Sequence, residues 1–579
     1  MSKKNKESAQ KGDEEQPSLY NKNDDVDEDS LKPHKTIRIA VTGDVFVTKL
    51  EKDIIDTPEF QRLRFIKQLT TTYLVYPSAI HTRFEHSLGV LQTVEYMMKC
   101  IGNNRHVGKE QKTIEPQERK IIRLAALLHD IANIPFGHTL EDETCVIESY
   151  QEDKDRFDIV LGKKTTIGKK IWNELGEAGY NLLRDILTAK KDETPEPGDK
   201  AKQWKYVWEL DNHAYMYDIV KNTVCADLLD YLKRDFYFCN LPLTIPDRFL
   251  HFLYIHNGEF PYIHNGKKMT REGKRLAIKL WKRDELKPRQ DIISELIQLL
   301  ENRYFLSERV YFHHAKIIGA AMIGAAVWDA QQNNLLTLDN LHKFGDDELL
   351  NYLRNLKDAD GKDYTGPAKT LADKIYERKL YKCLGYAIKR KDIKGDNPLE
   401  DPLERLKKDY HDNAENRTKT ENILCEIIGV KTGSILIYCP DPDMNLKPAE
   451  MFVTWHGGIK KFKDIDNELV QNKVKAILDS HKELWQLQVL ISPEIADDKQ
   501  KKYELRLHCK RIFEKEDPSV AIKETLESVA RSAGLTDELD SIYKNLTAAA
   551  HNGNPTSEIT RQDIEKTINE YLQQKKKQS

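Results

Sequence analysis

Residues 121–138 read IIRLAALLHDIANIPFGH, and this stretch indicates what kind of fold the chain adopts. Its alanine- and leucine-rich first half predicts a buried helix. The helix ends in the adjacent pair His129 and Asp130, and burial of such a pair costs free energy unless the side chains are paired or coordinated. The ordinary alternative is a core histidine bonded to the backbone beside an aspartate that caps a turn. Two other segments favour coordination.

Residues 83–90 read RFEHSLGV and residues 227–235 read DLLDYLKRD. On a helix Asp227, Tyr231 and Asp235 fall at i, i+4 and i+8 and therefore share a face. A solvated helix shows acids at the same spacing, so the second segment is weak evidence alone. Taken with the His-Asp pair, the segments supply a mixed nitrogen and oxygen ligand set, which suits one divalent transition metal such as Mn, Fe, Zn, Ni or Co. Its members are His86, His129, Asp130 and Asp227.

Several segments, in the same order along the chain, resemble the HD-domain phosphohydrolases. The resemblance is specifically to the deoxynucleoside triphosphate triphosphohydrolases, dGTPase-like enzymes of which one branch carries a sterile-alpha-motif domain. The matching segments are residues 54–64, 66–69, 83–90, 129–138, 227–235 and 302–313. The likeness covers roughly residues 35–330, and a weaker likeness at 435–512 extends it to the small C-terminal lobe of these enzymes. No sterile-alpha-motif domain is recognisable in the sequence.

The resemblance implies a reaction. The four candidate ligands would hold a metal that activates water and binds an oxygen of the α-phosphate, so that a dNTP yields a deoxynucleoside and tripolyphosphate. The departing sugar oxygen needs a proton, and His138 is the expected general acid. Glu141, three residues on, would orient His138 and raise its pKa. A simple glycine-histidine helix cap is the ordinary alternative for His138.

The resemblance also implies a binding site for the substrate. Two arginines would hold phosphate oxygens, because a guanidinium binds phosphate bidentately. One tyrosine would pack under the deoxyribose, and the other positions would lie near the base and the sugar. For the tyrosines, core packing is the ordinary alternative. A further Mg²⁺ could accompany the triphosphate. The predicted substrate residues are Gln68, Arg83, Tyr231, Asp235, Arg303 and Tyr311.

The sequence departs from the family pattern at three places. Asn133 stands where related enzymes have a phosphate-contacting histidine, and Leu228 stands where they have a lysine. No second catalytic histidine is recognisable between residues 145 and 157. These departures keep two alternatives open. One is another HD-type phosphohydrolase, a nucleotidase or a phosphodiesterase, and the other is a non-catalytic nucleotide- or nucleic-acid-binding regulator with a structural metal.

A regulatory site is also implied by the resemblance. Lys35, Asp56, Gln61 and Arg64 match positions that bind a guanine-nucleotide activator between subunits, whereas Arg38 and Thr42 replace other members of that pocket. We therefore expect a nucleotide effector and a homo-oligomer, either a dimer, a tetramer or a hexamer. The ordinary alternative is a helix with a solvated basic face. Bacterial relatives of this kind can deplete dNTPs in antiviral defence, a role this chain could share.

Composition limits the class of protein. The chain has 579 residues and a formal charge of -3, which argues against a broadly basic nucleic-acid-coating surface. Its eight cysteines form no CxxC pair, as expected in a reducing, cytoplasmic environment. The charged N-terminal residues include no apolar stretch, so we expect no secretory leader. The longest apolar run, residues 317–328, is too short to cross a bilayer.

Periodicity predicts a mainly α fold, in which an HD-type helical core carries small β elements near the N-terminus and a smaller α+β lobe follows. Strand patterns occur at 36–49, 255–271, 434–439, 451–455 and 487–491, whereas 503–509 fits either a strand or a helix. The expected divisions are a disordered tail (1–33), the core with its outer helices (34–430), the α+β lobe (431–516), and C-terminal helices with a basic tail (517–579).

Overall fold

The computed structural model describes residues 28–104, 114–147, 154–189, 207–242, 244–264, 267–281, 287–393, 401–442, 446–514 and 561–578, with isolated positions between 526 and 542. The fold is mainly α with three small sheets, which confirms the predicted class. Most of the predicted tail and most of residues 517–560 lie outside the described residues. Within the tail, Glu28–Leu31 form a 3-10 turn.

The chain enters the fold through a β-hairpin. Strands β1 (Lys35–Ile39) and β2 (Gly43–Val47) pair antiparallel, in agreement with the strand pattern at 36–49. Among the described residues before 240, eight α-helices follow. They are α1 (Lys49–Ile55), α2 (Pro58–Gln61), α3 (Arg83–Gly102), α4 (Pro116–Leu128), α5 (Lys154–Leu161), α6 (Thr166–Thr188), α7 (Ala214–Lys221) and α8 (Ala226–Phe238).

Helix α3 lies at the centre of this core and packs against both α4 and α8. Its close approach to α8 depends on Gly89, because a Cβ at this position would lie 2.0 Å from Asp230 Oδ1 and 2.4 Å from Arg234 Nη2. Helix α4 is the alanine- and leucine-rich segment from which we predicted a buried helix, and every residue from Lys120 to Leu128 is buried. It therefore delivers its C-terminal end into the protein interior.

A second layer of helices covers one side of this core. Helix α10 carries the longest apolar run and is buried on nearly all sides. The helices of this layer and of the C-terminal region are α9 (Gln290–Leu306), α10 (His314–Gln332), α11 (Leu338–Leu341), α12 (Asp346–Arg354), α13 (Pro367–Tyr376), α14 (Pro402–Leu406), α15 (Ala414–Ile427), α16 (Glu468–Lys482), α17 (Pro493–Ala496), α18 (Lys499–Cys509) and α19 (Arg561–Gln578). The ambiguous segment 503–509 is thus helical.

The other two sheets join distant parts of the sequence. One has the order β3-β4-β7-β8 and the other the order β5-β9-β6. Strand β4 pairs in parallel with β7, so the hairpin of the core extends into the C-terminal region. The division at residue 430 stays a prediction, although both sheets cross it. The strands are β3 (Leu253–His264), β4 (Lys267–Ile278), β5 (Lys382–Lys389), β6 (Ile435–Tyr438), β7 (Phe452–Trp455), β8 (Gly458–Lys461) and β9 (Gln486–Ile491).

Among the described residues, no single helix combines the length and apolarity needed to cross a membrane. The helical stretches Gln290–Tyr311 and His314–Gln332 are long and apolar enough only when taken together, and they meet at a 62° bend.

Candidate metal centre

The ends of three helices bring the predicted metal ligands together. His86 lies in the first turn of α3, His129 directly follows α4, and Asp227 lies in the first turn of α8. Asp130 continues the chain after His129, and both are buried. The packing of α3 against α4 and α8 explains why residues that are far apart in sequence meet here.

The ligand atoms converge on one point. His86 Nε2 lies 3.2 Å from His129 Nε2 and 3.1 Å from Asp227 Oδ1. The Oδ2 atom of Asp130 lies 3.9 Å from His86 Nε2 and 3.6 Å from His129 Nε2. Asp227 Oδ1 lies 3.8 Å from His129 Nε2. Nitrogen and oxygen donors at these separations can share one ion of the size of Zn²⁺ or Mn²⁺.

The hydrogen bonds of the two imidazoles indicate that this cluster is built for a cation. His86 Nδ1 lies 2.9 Å from Asp230 Oδ2, and His129 Nδ1 lies 2.8 Å from the carbonyl oxygen of Ala126. Both Nδ1 atoms must therefore donate, which leaves a lone pair on each Nε2 atom. Two lone pairs that face each other at 3.2 Å repel unless a cation or a proton lies between them. The residues present fit a divalent metal.

The electrostatics of the cluster lead to the same conclusion. Burial lowers the pKa of His86, but the hydrogen bonds to Asp227 and Asp230 outweigh burial and raise it to about 10, so a proton on His86 Nε2 and a metal ion compete for the same position. Burial raises the pKa of Asp130, but the nearby Arg83 guanidinium and His129 more than compensate and hold it well below its usual range. The carboxylates thus stay ionised and require a positive charge among them, which a bound metal supplies.

A buried ion pair behind His86 was not predicted from the sequence. Asp230, which accepts from His86 Nδ1, also binds the fully buried guanidinium of Arg234 at 2.9 Å. Arg234 in turn donates to Ala40 O and Thr42 Oγ1 of the N-terminal hairpin. The signal was available, since Asp230 follows Asp227 at i+3 on the same helix. A carboxylate behind a ligating histidine fixes its tautomer and ring orientation.

Two charged side chains, the partly buried Arg62 and the buried Asp346, hold the loop that follows His129 and Asp130. Arg62 donates to the carbonyl oxygens of Ile131 (3.3 Å) and Asn133 (2.7 Å). Asp346, at the start of α12, accepts from the backbone N–H of Phe136 at 2.9 Å and from that of Lys67 at 2.8 Å. Phe136 itself adopts a positive φ of 53°, a strained conformation for this residue type. The loop is thus fixed from both sides.

The structure corrects the predicted partner of His138. Asp142 Oδ2 lies 2.6 Å from His138 Nδ1, whereas Glu141 forms a buried ion pair with Arg156 at 2.6 Å. The reason is local: Thr139–Glu143 form a π-helical turn, and its wider winding places the residue at i+4 beside His138. Partial burial lowers the pKa of His138, but the hydrogen bond to Asp142 outweighs it, so the pKa is raised.

The two predicted phosphate-binding arginines lie in different environments. Arg83 donates from Nη1 to the metal-ligand candidate Asp130 at 2.6 Å. Arg303 lies over the ring of Tyr231, with Cζ 5.3 Å from the ring centroid. Its Nε and Nη1 atoms are buried and make no hydrogen bond, and among the described residues no carboxylate lies within ion-pair distance of it. Guanidinium nitrogens that are buried without an acceptor favour the binding of an anionic ligand, which would accept their hydrogen bonds.

Two of the predicted sugar- and base-contacting residues, Asp235 and Tyr311, are hydrogen-bonded to each other. Asp235 is buried and accepts from Tyr311 Oη at 2.7 Å, and its Oδ1 atom lies 2.9 Å from His81 Nε2. His81, which sequence reasoning missed, stacks on Phe238. The Gln68 side chain is buried, and its Oε1 atom has no hydrogen-bond partner among the described residues.

Two of the three departures from the family pattern, Asn133 and Leu228, have structural roles. Asn133 donates from Nδ2 to Asp130 Oδ1 at 2.8 Å and so helps to hold a candidate ligand. Leu228 is buried in the main hydrophobic core. Neither position supplies a positive charge.

The predicted effector residues lie on the surface near the ends of α1 and α2. Asp56 binds Lys52 at 2.7 Å, and the nearby Lys35 also contributes to lowering the pKa of Asp56. Gln61 donates to Ile55 O and accepts from Arg64 Nε at 2.8 Å. The Arg64 guanidinium also lies 3.5 Å from the ring centroid of Phe84, the residue next to Arg83. The four residues are thus neighbours, but their nucleotide-binding role stays a prediction.

Comparison with protein families identifies two regions. Residues 83–235 match the HD domain, and residues 294–517 match the HD-associated region. The first match contains all four candidate ligands and His138, whereas Arg303, Tyr311 and Asp346 lie in the second.

Curated relatives share part of the chain. An uncharacterised protein of Methanocaldococcus jannaschii is 29% identical over 60% of this chain and 59% of its own length. The deoxynucleoside triphosphate triphosphohydrolase SAMHD1 of Danio rerio is 30% identical over 38% of this chain and 37% of its own length. The Homo sapiens protein of the same name is 30% identical over 35% of this chain and 33% of its own length. The matched region thus spans between a third and three fifths of these relatives.

Solved structures share the fold. A hypothetical protein from Aquifex aeolicus aligns with 81% of this chain and 99% of its own length, with a TM-score of 0.52 and 20% identity. A phosphohydrolase from Bacteroides thetaiotaomicron aligns with 79% of this chain and 100% of its own length, with a TM-score of 0.50 and 17% identity. At this identity the likeness establishes the fold only.

Proposed function

The chain belongs to the HD-domain phosphohydrolases, and from that premise we propose that it is a dNTP triphosphohydrolase that releases a deoxynucleoside and tripolyphosphate. The observation that carries the proposal is the combination of a two-histidine, two-aspartate cluster, in which His86, His129 and Asp130 are buried, with Arg303. The Nε and Nη1 atoms of Arg303 are buried and have no hydrogen-bond partner among the described residues. The name of the SAMHD1 relatives gives the substrate class.

In this proposal His86, His129, Asp130 and Asp227 hold one divalent metal. When bound, the metal supplies Lewis-acid activation of water and of the phosphate to be attacked. Asp230 keeps the lone pair of His86 directed into the site, because it binds the opposite ring nitrogen. Arg83 pairs with Asp130 and therefore keeps that carboxylate ionised.

The remaining steps fall to the side chains around this centre. Arg303 binds phosphate oxygens, since its buried N–H groups lack any other acceptor. His138, held by Asp142, gives its proton to the departing sugar oxygen, and the hydrogen bond to Asp142 raises its pKa, which favours the protonated form needed for this step. Tyr311 and Asp235 form one side of a sugar site, in which the carboxylate can accept from a hydroxyl group.

The test incubates the purified protein with Mn²⁺ or Mg²⁺ and each dNTP, alone and in pairs with other dNTPs or GTP. Ion-exchange chromatography then measures deoxynucleoside and tripolyphosphate, and Asp130→Ala is the inactive control. Stoichiometric release of both products supports the proposal. Release of neither product in any mixture, from protein with verified bound metal, refutes it.

The same experiment tests regulation. We propose that a nucleotide binds Lys35, Asp56, Gln61 and Arg64 and promotes assembly into an active homo-oligomer. Turnover that occurs only in certain nucleotide pairs, with a matching rise in molecular mass, supports this proposal. Full activity of a monomer with a single dNTP refutes it.

A second candidate is a nucleotidase or phosphodiesterase of the same superfamily. It is favoured by Asn133 and Leu228, neither of which supplies a positive charge for a long polyphosphate, and by the pairing of Arg83 with Asp130. A substrate with fewer phosphate charges needs fewer cations. Release of inorganic phosphate from a dNMP, or ring opening of a cyclic nucleotide, faster than any dNTP cleavage would identify this activity.

A further inference from the structure

A second group of metal-ligating side chains lies outside the HD centre. The Cys145 Sγ atom lies 3.3 Å from His411 Nε2, and Asp412 Oδ1 lies 3.9 Å from the same nitrogen. The three ligand atoms all lie within 4.8 Å of one another. We propose that Cys145, His411 and Asp412 form a zinc site that joins the HD domain to the HD-associated region.

The donor types select zinc among common metals. A thiolate, an imidazole and a carboxylate together suit Zn²⁺, which takes four ligands and often accepts water as the fourth. With zinc–sulfur and zinc–nitrogen bonds of about 2.3 and 2.0 Å, two donors at a tetrahedral angle lie about 3.5 Å apart. The observed sulfur–nitrogen distance of 3.3 Å is close to this value. Cys145 is partly exposed, and Asp412 more so, which leaves room for the ion and its water.

The imidazole of His411 is oriented for coordination. Its Nδ1 atom lies 2.9 Å from the carbonyl oxygen of Cys439 and therefore donates to it. The Nε2 atom then carries a lone pair, which faces Cys145. A ligating histidine that donates its other ring N–H to a backbone carbonyl is the usual arrangement in metal sites.

The two segments are held together by contacts that do not involve the proposed ligands' side chains. Arg417 donates to Thr144 O at 2.6 Å and to Tyr410 O at 2.9 Å. These carbonyls belong to the residues that immediately precede Cys145 and His411. The ligands are thus brought side by side before any ion binds, which lowers the entropic cost of binding.

The local backbone and charge also fit a cation site. Cys145 adopts a positive φ of 45°, which is costly for a residue with a side chain and often marks a functional position. The Arg417 guanidinium and three carboxylates, those of Asp142, Asp412 and Asp441, lie near enough to act electrostatically on the thiol. Because the carboxylates outnumber the guanidinium, the net local charge is negative and raises the local concentration of cations.

The experiment measures zinc in the full-length protein after dialysis against buffer with zinc as the only divalent metal. Wild type should retain one more zinc ion per chain than Cys145→Ser or His411→Asn. Asp130→Ala should lose the HD-site ion but keep the other one, and Cys383→Ser, which removes an exposed thiol, is the matched control and should equal wild type. Equal zinc content in wild type and Cys145→Ser, with both folded by circular dichroism, overturns the proposal.

Cobalt gives an independent spectroscopic readout. Co²⁺-loaded Asp130→Ala should show the near-ultraviolet charge-transfer band of a thiolate–cobalt bond, and Asp130→Ala with Cys145→Ser should not. The His411→Asn variant should bind Co²⁺ at least tenfold more weakly, since one protein ligand is lost. Absence of the band in Asp130→Ala that still binds Co²⁺ refutes coordination by Cys145.

Discussion

Replacement of Arg303 by methionine should stabilise the protein and weaken phosphate binding. Two of its N–H groups are buried without an acceptor, and each such group costs about 1–3 kcal/mol. The contact with the Tyr231 ring offsets about 0.5–2 kcal/mol of this cost. Methionine fills similar space without the charge, so we expect Arg303→Met to raise the free energy of unfolding by the difference, about 3 kcal/mol within a range of about 0–5 kcal/mol.

Urea denaturation of metal-loaded protein without nucleotide measures this gain, and the same titration with tripolyphosphate measures the loss of binding. Each charge-assisted hydrogen bond to phosphate contributes about 1.5–3 kcal/mol, so tripolyphosphate should bind Arg303→Met about 10- to 100-fold more weakly. Arg309→Met, which alters an exposed arginine shortly after α9, is the matched control and should change neither quantity. An Arg303→Met protein that is less stable than wild type would show that the guanidinium stabilises the fold, which would refute the claim that its buried N–H groups destabilise the protein without nucleotide.

Three further outcomes follow from the geometry. Asp142→Asn should lower turnover and shift the alkaline limb of the pH–rate profile to lower pH, because it removes the carboxylate that raises the pKa of His138. Glu141→Gln should mainly lower stability, because it breaks the ion pair with Arg156. If both variants gave the same pH–rate profile, Asp142 would not be the partner of His138. Gly89→Ala should displace Asp230 and weaken metal binding by about 10- to 100-fold in a competition titration with a chelator, and unchanged affinity would exclude Asp230 as the orienting group. Burial raises the pKa of Glu421 to about 7, although nearby Arg417 opposes this shift. The protonated Glu421 side chain therefore contributes fully to stability below about pH 4.5, and this contribution is lost as the pH rises to about 7. Glu421→Gln should therefore match wild type near pH 4.5 and exceed it by up to about 3 kcal/mol at pH 8 in urea titrations, and a pH-independent difference would argue against this burial effect.

The clustering of the four candidate metal ligands could be predicted because they lie in short motifs with fixed relations to helix ends. His129 follows an apolar helix, and Asp227 occupies the first turn of another, so each motif specifies where its side chain lies. Asp230 was missed although it lies on the same helix. Its role depends on the packing of α3 against α8, and this tertiary contact cannot be read from the periodicity of a single segment.

Other errors arose from local backbone geometry. The partner of His138 was assigned by α-helical spacing, but the π-helical turn shifts it from Glu141 to Asp142. Strand β5 was missed because a register shift between Cys383 and Ala387, where Gly385 adopts a φ of 77°, interrupts the alternation of apolar and polar residues. Segment 503–509 fitted two patterns, and its helix begins after an Asp498 cap that lies five residues before that segment.

The site depends on both matched regions of the chain. Asp346 of the HD-associated region accepts from the loop that carries Phe136, two residues before His138, and Arg417 donates to Thr144 just beyond the same turn. Arg303 and Tyr311 also come from the second region. A fragment limited to residues 83–235 would retain the candidate metal ligands but lose Arg303, which we propose to bind phosphate, and the contacts that Asp346 and Arg417 make with the segment carrying the proposed acid. Metal binding and phosphate hydrolysis should therefore be separable by truncation, because the HD domain supplies the ligands and the following region fixes the groups around them.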